Sequence, residues 1–188
     1  MASVSNGFDV TRCLEAASAI EADVNRLASV LTEGQFHAPS RGGGWSVGYC
    51  IEHLILTGQA YFPKWDIAIE TAVESPVTGS LPYGWWQRRI LSYAEDPSRF
   101  RKKAPSELVP CSRHSVERTV ARFLEMHHGL TDRVIASQGL DVKRIKVQSP
   151  FFLWLWYPLG FSFDLALSHE RRHLAQAWRV QRQLTAAK

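Results

Sequence analysis

The chain has 188 residues, 45% hydrophobic, 11% aromatic and 21% charged, with a formal net charge of +4. This is an ordinary globular composition that argues against disorder, and it is enough chain for a single domain over 1–188 to bury a core without staples. The positive excess is split among Arg88-Arg89, Arg99 to Lys103, and Lys143-Arg144 with Lys146, which reads as solvated surface rather than the dense basic stripe of a nucleic-acid binder.

From Phe8 to about Leu31, apolar residues recur at helical spacing, with Val10, Leu14, Ala17, Ile20, Val24 and Leu27 on one stripe and Asn6 or Asp9 as N-cap. Residues 34–44, GQFHAPSRGGG, read as a flexible connection. Ser46 caps a second helix running to about Ala72. Pro63 inside it predicts a kink or a split, because the ring removes a donor and clashes with the preceding turn. Residues 74–82 read as loop, 84–94 as a short helix, and 95–114, carrying Pro97, Pro105 and Pro110, as a long surface excursion.

A third long helix starts after Ser115, with Val116, Val120, Phe123, Met126, Leu130 and Val134 on its stripe, and ends near Gly139. A strongly aromatic, partly extended stretch leads to Ser162, expected to cap a last helix reaching about Leu184. Four long helices without alternating strands predict an all-α four-helix bundle with an extended connection, 74–114, between the second and third.

Cys13, Cys50 and Cys111 are odd in number, widely spaced and form no C-x-x-C pair, which argues against a disulfide framework and for a reducing compartment. MASVSNGFDV lacks the basic start and apolar run of a secretory signal. The apolar run at 151–163 is broken by Pro158 and Gly160 and is too short to span a bilayer. A cytoplasmic protein with no membrane partner is the expectation.

Residues 168–178, SHERRHLAQAW, spell H-E-x-x-H through His169, Glu170 and His173. Histidines four apart share one helix face, so both imidazoles can reach one metal ion. A zinc peptidase takes its third ligand downstream, yet the tail LAQAWRVQRQLTAAK holds no His, Asp, Glu or Cys. The peptidase reading fails there, and a third ligand must lie upstream. His37 and His114 lie in connecting segments and read as surface, while His127 and His128 point about 100° apart, so at most one faces inward. His53, among Ile51, Leu54, Ile55 and Leu56, faces inward or meets a partner.

WSVGYCIEHL at 45–54, together with HERRHLAQ at 169–176, resembles the DinB/YfiT-like family of small bacterial metal-binding proteins. That family shows Trp-Ser at the start of the second helix, a His seven residues on, and H-x-x-x-H followed by Gln on the last. Trp45, Ser46, His53, His169, His173 and Gln176 match position by position. The resemblance covers most of the chain. It implies an up-down-down-up bundle, often a homodimer, in which His53, His169 and His173 hold a divalent ion, zinc or nickel foremost, in an open cup. The excursion at 74–114 looks longer and richer in Pro, Trp and Arg than the family's usual connection, which bears on the substrate.

Three neutral imidazoles leave an ion its full charge and an open position, suited to activating water or binding a thiolate. The resembled group includes transferases and isomerases that use a low-molecular-weight thiol, and proteins labelled metal-dependent hydrolases. The expected function is therefore a metal-dependent hydrolase or thiol-dependent transferase acting on a small molecule, with a noncatalytic metal-binding or protein-interaction bundle as the alternative. Glu170 and Gln176 are the candidate catalytic residues. Glu170 points about 100° away from His169 and reads more naturally as a surface residue, whereas Gln176 shares the face of His173 and can orient an imidazole or a water. Cys50 reads as a buried inert thiol. The aromatic run 151–163, with Trp85 and Trp86, reads as core or interface, or as a pocket wall above the metal. No nucleic-acid partner is expected.

Overall fold

The structure is a computed structural model that describes residues 7–72, 81–95, 105–111 and 113–186. Its elements in chain order are β1 (Gly7–Phe8), α1 (Val10–Ser29), α2 (Glu33–His37), α3 (Val47–Glu70), β2 (Leu81–Pro82), α4 (Trp85–Glu95), a 3-10 turn (Ser106–Leu108), α5 (Val116–Ala136), β3 (Lys146–Gln148), β4 (Trp156–Pro158) and α6 (Leu159–Thr185). Residues 74–80 of the expected loop and the basic cluster at 99–103 lie outside the described residues.

The long helices begin where polar side chains accept otherwise orphaned backbone amides. Asp9 accepts from the amide of Arg12, Ser46 from Tyr49 and Ser115 from Arg118. The buried residues of α1, including Cys13, Ala17, Ile20, Val24 and Leu27, follow the helical period, and Phe123, Met126, Leu130 and Val134 do the same on α5. These stripes close on Trp65, Phe161 and Phe163, all essentially without solvent exposure. Burying a side chain of that size contributes about 1.5–3 kcal/mol.

α1 and α3 each pack against both α5 and α6, which places α1 and α3 across one diagonal of the bundle and α5 and α6 across the other. Side-chain pairs give the directions. Glu52 meets Arg122 and Asp66 meets Arg133, so α3 and α5 run parallel. His53 meets His169 and Trp65 meets Ser162, so α3 and α6 are antiparallel. Arg12 meets Asp164 and Asp23 meets Trp178, so α1 and α6 are parallel. The result is the up-down-down-up order expected from the resemblance.

Several local expectations are corrected. The connection at 34–44 contains a helical turn, α2, because Thr32 and Gln35 form a reciprocal capping box and Phe36 is fully buried. Pro63 does not split α3: it is exposed, as is Gln59, whose carbonyl the proline leaves without its usual donor, so water can take that donor's place. Ser162 does not cap α6, which starts three residues earlier. Pro158 presets the backbone, and the amides of Leu159 and Gly160 donate to the carbonyls of Ile145 and Val142. Ser162 is buried inside the helix, where its hydroxyl accepts from the Trp65 indole at 2.8 Å. The segment before α6 is an antiparallel hairpin, pairing Lys146 with Pro158 and Gln148 with Trp156.

Candidate metal centre

His53 projects from α3 two turns after the Ser46 cap, and His169 and His173 project from one face of α6 where the antiparallel helices meet. Ligand-type nitrogens of the three imidazoles lie within 4.8 Å of one another. His53 Nε2 is 3.1 Å from His169 Nε2, and the ring centroids of His169 and His173 are 4.5 Å apart. His53 is buried while His169 and His173 are half-buried, so the cup has a closed floor and an open side. Trp45, just before the Ser46 cap, places its indole 4.9 Å from the His53 ring and stacks on His173 at 5.9 Å, forming one wall.

The floor is set by a contact from the excursion. His53 Nδ1 donates to the carbonyl of Leu108 at 2.8 Å, which fixes the proton on Nδ1 and leaves the Nε2 lone pair facing the other two rings. The excursion was expected to run along the surface. Its 3-10 turn instead buries Leu108 against α3.

The donor set fits a divalent transition ion. Imidazole nitrogens bound at about 2.0–2.1 Å in a tetrahedral arrangement sit about 3.3 Å apart, close to the 3.1 Å between His53 and His169. Nδ1 of His173 is buried without a hydrogen-bond partner, and Gln176, one turn on, acts on the same ring to raise its pKa against the larger effect of burial.

The trio is neutral at pH 7. Burial, reinforced by His53 and Arg172, lowers His169 to about 3. Burial, reinforced by His169, His53 and Arg172, lowers His173 to about 2. Burial also lowers His53, against the opposing pull of the Leu108 carbonyl. Neutral imidazoles are the form that binds metal, so no proton has to leave at neutral pH.

The same shifts fix a pH dependence. Each ring has a folded pKa below its ordinary value near 6.5, so the unfolded chain binds more protons on acidification. The resulting destabilisation is absent at pH 7 and grows as pH falls from about 6.5 toward the folded values. Metal-free protein should melt at a lower temperature at pH 4.5 than at pH 7.5, and the difference should shrink in His169→Gln. An equal pH dependence in the variant would contradict the burial of this ring.

Glu170, expected at the surface, is instead buried and faces away from the cup. The 100° turn from His169 carries it toward α1 and α5, where its Oε2 lies 3.1 Å from His127 Nδ1. His127 Nε2 donates to the Ala17 carbonyl at 2.9 Å. Burial is the largest single influence on His127 and opposes its charge, but the Glu170 carboxylate, the Ala17 carbonyl and Glu21 together raise the pKa. The pair is therefore a structural tie between α5 and α6, and the geometry gives Glu170 no role as a base at the cup. Of the neighbouring histidines, His127 is the inward one, while His128 is exposed beside Glu21 and His37 lies by Glu33.

Cys50 is fully buried and its thiol is pushed up to about 12 by burial, as an inert core thiol should be. On α6, Arg171 pairs with Glu95 of α4, tying that short helix beside the metal face. The Leu108 carbonyl was missed by sequence reasoning because every residue carries the same carbonyl. The flanking Pro105 and Pro110 signalled only an irregular segment.

A family model of the DinB superfamily matches residues 16–177. Among solved structures, the fold is similar to YfiT from Bacillus subtilis, described as a probable metal-dependent hydrolase with an unusual four-helix bundle topology. The TM-score is 0.60 over 94% of this chain and 87% of that one, at 18% sequence identity. No curated protein matches the chain.

Proposed function

The chain belongs to the DinB superfamily, and from that premise we propose that it is a metal-dependent hydrolase of small molecules acting through His53, His169 and His173. The observation that carries this reading is the convergence of three neutral imidazoles in a cup closed at its floor and open on one side. The description of YfiT as a probable metal-dependent hydrolase supports it. A divalent ion, zinc or nickel first, supplies a Lewis acid there and brings water toward ionisation near neutral pH.

The chain's own residues hold and shape that centre. The Leu108 carbonyl orients His53, Gln176 acts on the His173 ring, and Trp45 excludes water from one wall and offers a flat apolar surface to a substrate. With Glu170 committed to His127, the motif supplies no carboxylate base beside the cup. This favours nucleophiles that the ion alone can ionise. A thiol, whose pKa starts near 8.5, needs less help than water, which keeps thiol-dependent transfer as the second reading.

The test is turnover. Protein stripped of metal and reloaded with zinc or nickel should hydrolyse members of an ester, amide and lactone panel, or transfer a low-molecular-weight thiol when one is added. Activity should vanish on chelation and return with metal. A preparation that holds metal tightly, unfolds on chelation and turns over nothing would favour the noncatalytic bundle. Light scattering on the same preparation tests the homodimer implied by the resemblance.

A further inference from the structure

The β3–β4 hairpin ends in an apolar tip. Trp154 is 79% exposed, Leu153 65%, Trp156 55% and Phe152 50%. Four large apolar side chains so close in sequence and so open to solvent mark an interaction site rather than scattered surface residues. Their neighbours Phe151 and Tyr157 turn inward, Phe151 packing on Tyr61 at 5.5 Å and Tyr157 reaching its hydroxyl, so the hairpin is anchored while its tip is not.

We infer that this tip docks the protein on an anionic lipid surface. Two observations favour lipid as the occupant. The first is charge. Lys143 and Lys146 stand exposed at the base of the hairpin, and Lys64 of α3 donates to the neutral Gln148 side chain. Arg144 is offset by Asp141, which leaves a cationic collar behind the apolar side chains. Tryptophan and phenylalanine at the interface with cations among the headgroups is the arrangement anionic bilayers attract.

The second is the backbone. Insertion into lipid requires polar groups to be satisfied internally. The backbone amides of Phe151 and Phe152 donate to the Ser149 hydroxyl, Leu155 to the Phe152 carbonyl, Ser149 to the Leu155 carbonyl, and the Gln148 side chain donates through Nε2 to the Leu153 carbonyl at 2.7 Å. The tip is therefore preformed and presents side chains without presenting those groups.

A second copy of the chain is a poorer occupant. A cleft bordered by Trp86, Tyr83 and Phe161 is lined by Lys143 and Lys146, so a second copy seating its hairpin there would bring the lysines at the base of that hairpin toward the same sign of charge. The expectation of no membrane partner rested on the lack of a spanning segment. No described helix is long and apolar enough to cross a membrane, but a tip lying in the headgroup layer requires none.

The experiment is co-sedimentation of the full chain with extruded vesicles of equimolar phosphatidylglycerol and phosphatidylcholine, beside vesicles of phosphatidylcholine alone. Wild type should bind the anionic vesicles, and high salt should weaken binding. Leu153→Ser/Trp154→Ser and, separately, Lys143→Glu/Lys146→Glu should each bind about tenfold more weakly or worse, with unchanged melting temperature and metal content. Failure of wild type to bind, or undiminished binding by both variants, overturns the inference. A wild-type dimer that becomes monomeric in the tip variant, with no vesicle binding, overturns it in favour of a second copy.

Discussion

Alanine at His53, His169 or His173 is expected to lower metal affinity by more than about 100-fold, leaving less than stoichiometric metal after purification. Even residues that only orient a ligand cost about 10–100-fold when removed, and each of these imidazoles is one of three donors at a site that needs three. The measurement is metal content by elemental mass spectrometry, followed by titration with zinc and nickel. His128→Ala is the control, because that ring is exposed beside Glu21 and away from the cup. His127→Ala leaves the donors intact but is a poor control, since it strands Glu170 in the core. His53→Ala carries a second cost, because the buried Leu108 carbonyl loses its donor. Equal metal retention in all three ligand variants and His128→Ala would sink the assignment.

The second large effect concerns stability. Glu170→Ala should destabilise the fold by about 3–5 kcal/mol, the usual cost of leaving one member of a buried pair uncompensated. At about 2–4 °C per kcal/mol for a chain of this size, the melting temperature falls by about 6–20 °C. The double variant His127→Ala/Glu170→Ala should lose less than the sum of the single changes, because neither orphan remains. Glu170→Gln should be milder and should keep its metal. If Glu170→Gln instead kept full stability and lost turnover, the carboxylate would belong to the cup and the placement beside His127 would be wrong.

The architecture was largely readable from local chemistry. The apolar periods of α1, α3 and α5 and the caps Asp9, Ser46 and Ser115 predict three of the four long helices to within a few residues. His169 and His173 pair through helical geometry alone, because residues four apart share a face whatever surrounds the helix. His53 entered through the combination of W-S and H-x-x-x-H motifs and now stands 3.1 Å from His169. The errors were at element ends, where Pro158 and the carbonyls of Val142 and Ile145 replaced a side-chain cap that Ser162 could equally have supplied.

What local pattern could not decide is which face meets what. The period of α6 places Glu170 about 100° from His169, but only the position of His127, 43 residues earlier in the chain, turns a presumed surface carboxylate into a buried ion pair. The Leu108 carbonyl reaches His53 across 55 residues of sequence, and it bears no side-chain signature. The aromatic run at 151–163 is apolar as a string apart from Ser162 and the Tyr157 hydroxyl, yet Phe161 and Phe163 are core while Trp154 and Leu153 stand in solvent. Periodicity and capping are set within a turn or two of the chain, so the amino-acid order suffices for them. Burial, tautomer and exposure depend on contacts between distant segments, and those exist only once the helices have packed.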